Sequence, residues 1–254
     1  MRTEYIKNYS YELGRDMECK VYGHGGRPVL FIPCQDGRFY DFENFKMTDT
    51  WGPWIESGQL TVFSIDTIDL QTWSDKGGNP RWRIETYEAW IRYITNEVAP
   101  MIQSITNERN GWTGYQGIIV TGFSLGATHA VNLYYRRPDI FNGLLALSGI
   151  YTAEYGFGSY MDDLVYNNSP VHYLANMPKD HFYIGKYNDP FHRAVICVGQ
   201  GAWEQPETTR QLDAIFKEKG INTWVDYWGH DVNHDWPWWH KQVKYYLPYI
   251  LGQD

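Results

Sequence analysis

Residues 117–126 read GIIVTGFSLG, and this stretch decides the fold. The run GIIVT is short, unbroken and apolar, the pattern of a strand buried on both faces. It passes without a spacer into residues 122–126, which match G-x-S-x-G. Residues 125–135 then read as a helix. A serine between a buried strand and a helix sits on a strained turn, with its hydroxyl projecting from the end of the sheet. Gly122 and Gly126 remove the β-carbons that would collide there, and Ala127 and Ala130 let the helix lie close to the sheet. The helix N-terminus beneath Ser124 favours developing negative charge. The five-residue pattern is weak alone; its weight comes from the strand before it and the helix after it. The plainer reading of Ser124 is a helix cap after a tight turn. His129, on the same helix, reads as a surface or packing histidine.

Outward from this point the same alternation recurs. Short apolar runs at residues 29–32 (VLFI), 60–65 (LTVFSI), 144–147 (LLAL), 195–198 (VICV) and 223–228 (TWVDYW) read as strands. Residues 82–105, 206–219 and 236–250 read as helices, with Pro100 expected to kink or end the first and Pro248 to interrupt the last. Alternating strand and helix predicts a mostly parallel sheet with helices on both faces. Residues 4–22 read as a hairpin turning at 14–16, which adds an antiparallel N-terminal edge. Residues 150–189 lack clear periodicity and are expected to be irregular, lying over or near the active site. With no repeat or linker in view, residues 1–254 are taken as one domain.

Composition narrows the function classes. The 254 residues include 12 Trp, 21 Tyr and 11 Phe, 17% aromatic, which excludes disordered and collagen-like chains. A formal charge of −8 argues against nucleic acid as a partner. No apolar run is long enough for a membrane span, and the N-terminal residues show no signal peptide. Cys19, Cys34 and Cys197 are odd in number and widely spaced, so a disulfide framework is not expected. A cytoplasmic location is the expectation. The aromatic surplus also leaves a homo-oligomer interface open.

A nucleophilic serine needs a base and an acid, expected in the order Ser, then Asp or Glu, then His. The loop of residues 229–239, GHDVNHDWPWW, offers His230 and His234 as bases. His234 is favoured, because it lies just before a helix with Asp235 as cap and Pro237 in the first turn. His230, Asp231, His234 and Asp235 could in principle ligate a metal, but Gly229 and Pro237 argue against the helix that such spacing needs. Neither metal nor cofactor is expected. The loop of residues 199–207, GQGAWEQPE, offers Glu204, with Glu207 as runner-up. The oxyanion would be received by the backbone N–H of Leu125 and by one from the loop starting at Pro33. Gln35 is the choice there, with Cys34 and Asp36 as rivals. Arg38, Phe39, Trp203 and Trp236 flank these loops and are candidate substrate-binding residues.

The chain resembles the putative-esterase branch of the α/β-hydrolases, which includes esterase D, feruloyl and acetyl esterases and mycolyltransferases. The resemblance rests on GFSLG at 122–126, G-x-W-E at 201–204, H-D-W-P-x-W at 234–239 and LFIPCQDGRFYDFENF at 30–45. It implies an α/β-hydrolase fold, His234 over His230, and Glu204 over Glu207. One departure is that Pro33-Cys34 follows the early strand where some relatives carry Asp-Gly. The expected activity is a serine carboxylesterase acting on a small-molecule or carbohydrate-linked ester. An acyltransferase with the same triad, or a non-catalytic adhesin-like module, are the alternatives.

Overall fold

In the computed structural model, which describes residues 1–253, eight strands form one sheet. In chain order they are β1 (Thr3–Ser10), β2 (Arg15–Tyr22), β3 (Arg27–Ile32), β4 (Leu60–Ile65), β5 (Ile118–Phe123), β6 (Phe141–Leu147), β7 (Arg193–Val198) and β8 (Trp224–Tyr227). Their spatial order is β1-β2-β4-β3-β5-β6-β7-β8. β1 pairs antiparallel with β2, and β2 antiparallel with β4; the others are parallel. The fold is therefore that of an α/β sheet with an antiparallel N-terminal edge.

The central strands are apolar on both sides because each feeds two cores. On β5, Ile118 and Val120 enter one core, and Ile119 and Phe123 the other. β3 splits in the same way, Leu30 and Ile32 against Val29 and Phe31. Helices α1 (Asp41–Asn44) and α2 (Met47–Glu56) lie between β3 and β4, where no helix is legible in the sequence. α2 packs its Trp51 and Ile55 into the core shared with the C-terminal helix. The opposite face carries α3 (Pro80–Tyr93), α4 (Ala99–Asn110) and α5 (Leu125–Arg136). Every residue of α5 from Leu125 to Tyr135 is buried, as befits the helix nearest the centre.

Several expectations need correction. Pro100 neither ends nor breaks its helix. One π-helical turn, Ile94–Val98, precedes it, and the helical path continues to Asn110. The π turn accommodates the proline's missing N–H ahead of the ring. Residues 150–189 are not irregular throughout. They contain four short helices, α6 (Glu154–Phe157), α7 (Asp163–Asn167), α8 (Pro170–Ala175) and α9 (Phe182–Tyr187). Val165, Leu174 and Tyr187 from this segment are buried in the α5 core, and α8 packs against α5. Two long helices complete the chain, α10 (Glu207–Lys219) and α11 (Trp236–Leu251). Pro248 lies inside α11, and the helix continues past it to Leu251. The hairpin turn spans residues 11–14 rather than 14–16, with Gly14 at φ +64.

The register places the reactive loops. Ile32 is level with Gly122, Phe123 with Leu147, Leu147 with Cys197, and Cys197 with Asp226. The loops leaving β3, β5, β6, β7 and β8 thus emerge at one end of the sheet. After β3 the chain turns outward to β4, and β5 then pairs on the other side of β3. That reversal is a topological switch point, where open α/β sheets form their ligand crevice.

Candidate active site

Ser124 follows β5 at the switch point with φ +55 and ψ −128, a conformation a non-glycine residue holds only under constraint. Its N–H donates to Leu147 O at 2.9 Å, anchoring the turn to β6. Gly126 explains how the turn fits. A β-carbon there would come within 2.3 Å of the carbonyl oxygens of both Ile32 and Pro33. The absence of a side chain at Gly126 lets the start of α5 rest directly on the loop after β3.

The loops after β7 and β8 are laced together by backbone contacts. Gly201 N–H donates to Val232 O at 2.8 Å, and His234 N–H donates to Ala202 O at 3.0 Å. Gly199 permits this approach, since a β-carbon on it would stand 2.3 Å from Val232 O. The lacing brings Glu204 under His234. His234 Nδ1 lies 3.3 Å from Glu204 Oε2, and its Nε2 lies 2.9 Å from Ser124 Oγ. The Glu204 side chain is 1% exposed. Its other oxygen, Oε1, accepts from Ser148 Oγ at 2.7 Å and from Gly199 N–H at 3.3 Å. Ser148 in turn accepts from Trp239 Nε1 at 3.0 Å. One hydrogen-bonded row therefore runs from the indole of α11 through Ser148, Glu204 and His234 to Ser124.

The rival residues lie elsewhere. His230 is exposed, and Glu207 is an exposed residue of α10 facing Arg210 at 3.8 Å. Cys34 is half-buried near the site, and burial, followed by the charge of Asp41, pushes its thiol up to about 12. It stays protonated, which makes it a poor nucleophile. Among the described residues no group of three or more His, Cys, Asp or Glu is placed to hold a metal.

No acceptor among the described residues meets the N–H of Leu125 or of Gln35. The Gln35 side chain is fixed, donating to Ser74 Oγ at 2.9 Å and accepting from Tyr155 O–H at 2.8 Å. The N–H of Asp36 is directed to Asp69 at 3.2 Å, which removes that rival and leaves Cys34 as the other.

A small cleft of about 100 Å³ opens over Ser124 and His234, walled by Leu125, Ile150, Tyr155 and Trp203. Trp203 is 87% exposed and holds φ +67, an unusual conformation for a bulky residue. Three of the four proposed substrate contacts are not in this lining. Arg38 pairs with Asp66 at 2.9 Å and Glu18 at 2.6 Å. Phe39 packs against Tyr5, with ring centroids 5.6 Å apart. Trp236 stacks on Phe45 at 4.0 Å and meets Phe123 edge-on, behind the serine. Adjacency in sequence to a reactive loop did not reveal which way these side chains turn. Ser148 was missed altogether. Its available signal was a polar residue directly after a buried strand at the reactive end of the sheet.

The family model described as "Putative esterase" matches residues 10–249. The chain belongs to this esterase family. The esterase is accordingly a carboxylic ester hydrolase. Its fold is shared with solved α/β-hydrolases of low identity. A ferulic acid esterase is 16% identical with a TM-score of 0.74, over 100% of this chain and 99% of that one. The S-formylglutathione hydrolase of Agrobacterium tumefaciens is 14% identical with a TM-score of 0.72, over 99% and 95%. MPT51 of Mycobacterium tuberculosis is 14% identical with a TM-score of 0.71, over 100% and 99%. No protein of curated function matches the sequence. No helix among the described residues of the esterase is long and apolar enough to cross a membrane.

Proposed function

We propose that the esterase works through Ser124 as nucleophile, His234 as general base and Glu204 as the carboxylate that orients His234. The observation that carries this reading is the continuous row ending in 2.9 Å between His234 Nε2 and the strained Ser124 Oγ. His234 takes the hydroxyl proton as Ser124 Oγ bonds to the ester carbonyl carbon. The carbonyl oxygen becomes an oxyanion received by the N–H groups of Leu125 and Gln35. When the oxyanion collapses, the C–O bond to the alcohol breaks and His234 returns the proton to the leaving oxygen. Water, deprotonated by His234, then attacks the acyl carbon; the acid departs and Ser124 recovers its proton.

The cleft supports a choice of substrate. At about 100 Å³ it is well below the volume that encloses a drug-sized ligand. A short acyl group such as acetyl fits beside Leu125 and Ile150. The alcohol side leaves past Trp203 and Tyr155, whose rings suit a sugar or phenolic leaving group. The three cysteines are unpaired, which supports a reducing, cytoplasmic setting for a single domain acting on a small-molecule ester.

Hydrolysis of a p-nitrophenyl ester series tests the reading. Acetate should turn over faster than octanoate. Ser124→Ala and His234→Ala should each lower kcat by about 10³-fold or more, whereas His230→Ala and Glu207→Gln should leave it within about twofold. Glu204→Gln should lose at least about 10²-fold. Undiminished turnover in Ser124→Ala would falsify the mechanism.

A further inference from the structure

His129 is a fully buried histidine on the helix that begins just after the nucleophile, and no step of the proposed mechanism uses it. All its polar atoms are matched. Nδ1 lies 2.8 Å from Tyr87 Oη on α3, and Nε2 lies 2.9 Å from Asp69 Oδ1. The tautomer with its proton on Nε2 satisfies all three groups: it donates to Asp69 and accepts from the Tyr87 O–H. Asp69 is 1% exposed and follows β4. Trp73 and Trp90 pack edge-on against the imidazole, excluding water. Burying a carboxylate and an imidazole together is costly, and apolar residues would fill the same space with less desolvation.

The second carboxylate oxygen of Asp69 shows what the set holds. Oδ2 accepts the backbone N–H of Asp36 at 3.2 Å, across the loop after β3. Asp36 has φ +60, a left-handed conformation in a non-glycine residue. The same turn is closed by Gly37 N–H to Cys34 O at 2.9 Å. Its outer side is held by Ser74 Oγ, which donates to Asp36 Oδ1 at 2.7 Å and accepts from Gln35 Nε2 at 2.9 Å. The neighbouring N–H of Gln35 remains without an acceptor among the described residues. Asp69 thus fixes the peptide next to the one that would receive the oxyanion. Because His129 rides on α5, whose first residue is Leu125, the network fastens the carriers of both donors into one body.

We propose that Asp69, braced by His129 and Tyr87, is the positioning carboxylate of the oxyanion hole. It holds Asp36 left-handed and thereby aims the Gln35 N–H alongside that of Leu125. The proposal rests on the assignment of these two N–H groups as oxyanion donors. Asp69, His129 and Tyr87 are positioning residues, since none touches the cleft. Their effect is therefore confined to the state in which the oxygen carries charge, where a donor displaced by a fraction of an ångström loses its value.

The test compares Asp69→Asn, His129→Gln and Tyr87→Phe by steady-state kinetics on p-nitrophenyl acetate and by inhibition with a trifluoromethyl ketone, which forms a serine-bound oxyanion. For Asp69→Asn, kcat should fall about 100-fold with KM within about twofold, and the ketone's Ki should rise in parallel with the loss of kcat/KM. Tyr87→Phe, which removes one hydroxyl, should repeat the pattern at about fivefold and decides the matter if Asp69→Asn does not fold. A folded variant with a lowered Tm but unchanged kcat and ketone affinity overturns the proposal, as does a loss of kcat with ketone affinity unchanged. Ser124→Ala separates the two levels. If it is inactive while Asp69→Asn is fully active, only the positioning role falls; if it remains active, the underlying mechanism falls.

Discussion

Ser148 shows how one side chain can tune another that does the chemistry. Its hydroxyl donates to Glu204 while accepting from Trp239, so the carboxylate is approached from the side opposite His234. Ser148 also holds φ +58, with its N–H donating to Cys197 O at 2.8 Å. A bond from a hydroxyl to a buried carboxylate is charge-assisted and contributes about 1.5 kcal/mol or more. Ser148→Ala should therefore lower kcat about tenfold while leaving KM close to wild type, because the Glu204 carboxylate would be less firmly held. Ser148→Thr keeps a hydroxyl within reach of Glu204 and should lose less kcat than Ser148→Ala, despite the cost of a β-branched residue at positive φ. Steady-state kinetics of the two variants on one ester makes the comparison. Cys34, by contrast, owes its position beside the site to chain order, and its raised thiol pKa keeps it out of the chemistry.

At the scale of elements, the site depends on how near α5 stands to the loop after β3. Gly126 sets that distance, and a β-carbon there has two backbone carbonyl oxygens in its way, which cannot rotate aside as a side chain could. Gly126→Ala should destabilise the fold by about 3 kcal/mol, at the upper end for overpacking, as read by urea denaturation. Activity should fall in the fraction that remains folded, since moving α5 moves Ser124 and Leu125 together. The helices α3 and α4 illustrate the opposite tolerance. Their path absorbs Pro100 through one π turn, with Val98 and Ile102 still buried on either side of the proline.

Across the whole molecule, distant segments are joined by contacts that depend on protonation. His240 on α11 meets Thr50 on α2, with Nδ1 and Oγ1 2.5 Å apart. Burial first, and then the charge of Lys244, hold the His240 pKa below the ordinary value of 6.5, against a smaller opposing pull from Asp49. The folded state thus binds a proton less readily than the unfolded chain. Stability from this group is present above pH 6.5 and is lost as pH falls toward the depressed folded pKa. His240→Gln should flatten that part of the acid limb, so that the drop in Tm between about pH 7.5 and about pH 5 becomes smaller than in wild type. A steeper drop in the variant would contradict the sign of the shift.

Local pattern alone determined the strand order along the chain, the elbow at Ser124 and the chemical types available in the loops carrying Glu204 and His234. These follow from apolar runs and glycine spacing, which act between near neighbours. The helices α1 and α2, the short helices within residues 150–189 and the turning away of Arg38, Phe39 and Trp236 were decided by packing against distant segments. Ser148 and the Asp69–His129–Tyr87 set belong to the same class. Their partners are between 42 and 91 residues away in the chain, so only the closed sheet brings the hydrogen-bonding atoms within reach.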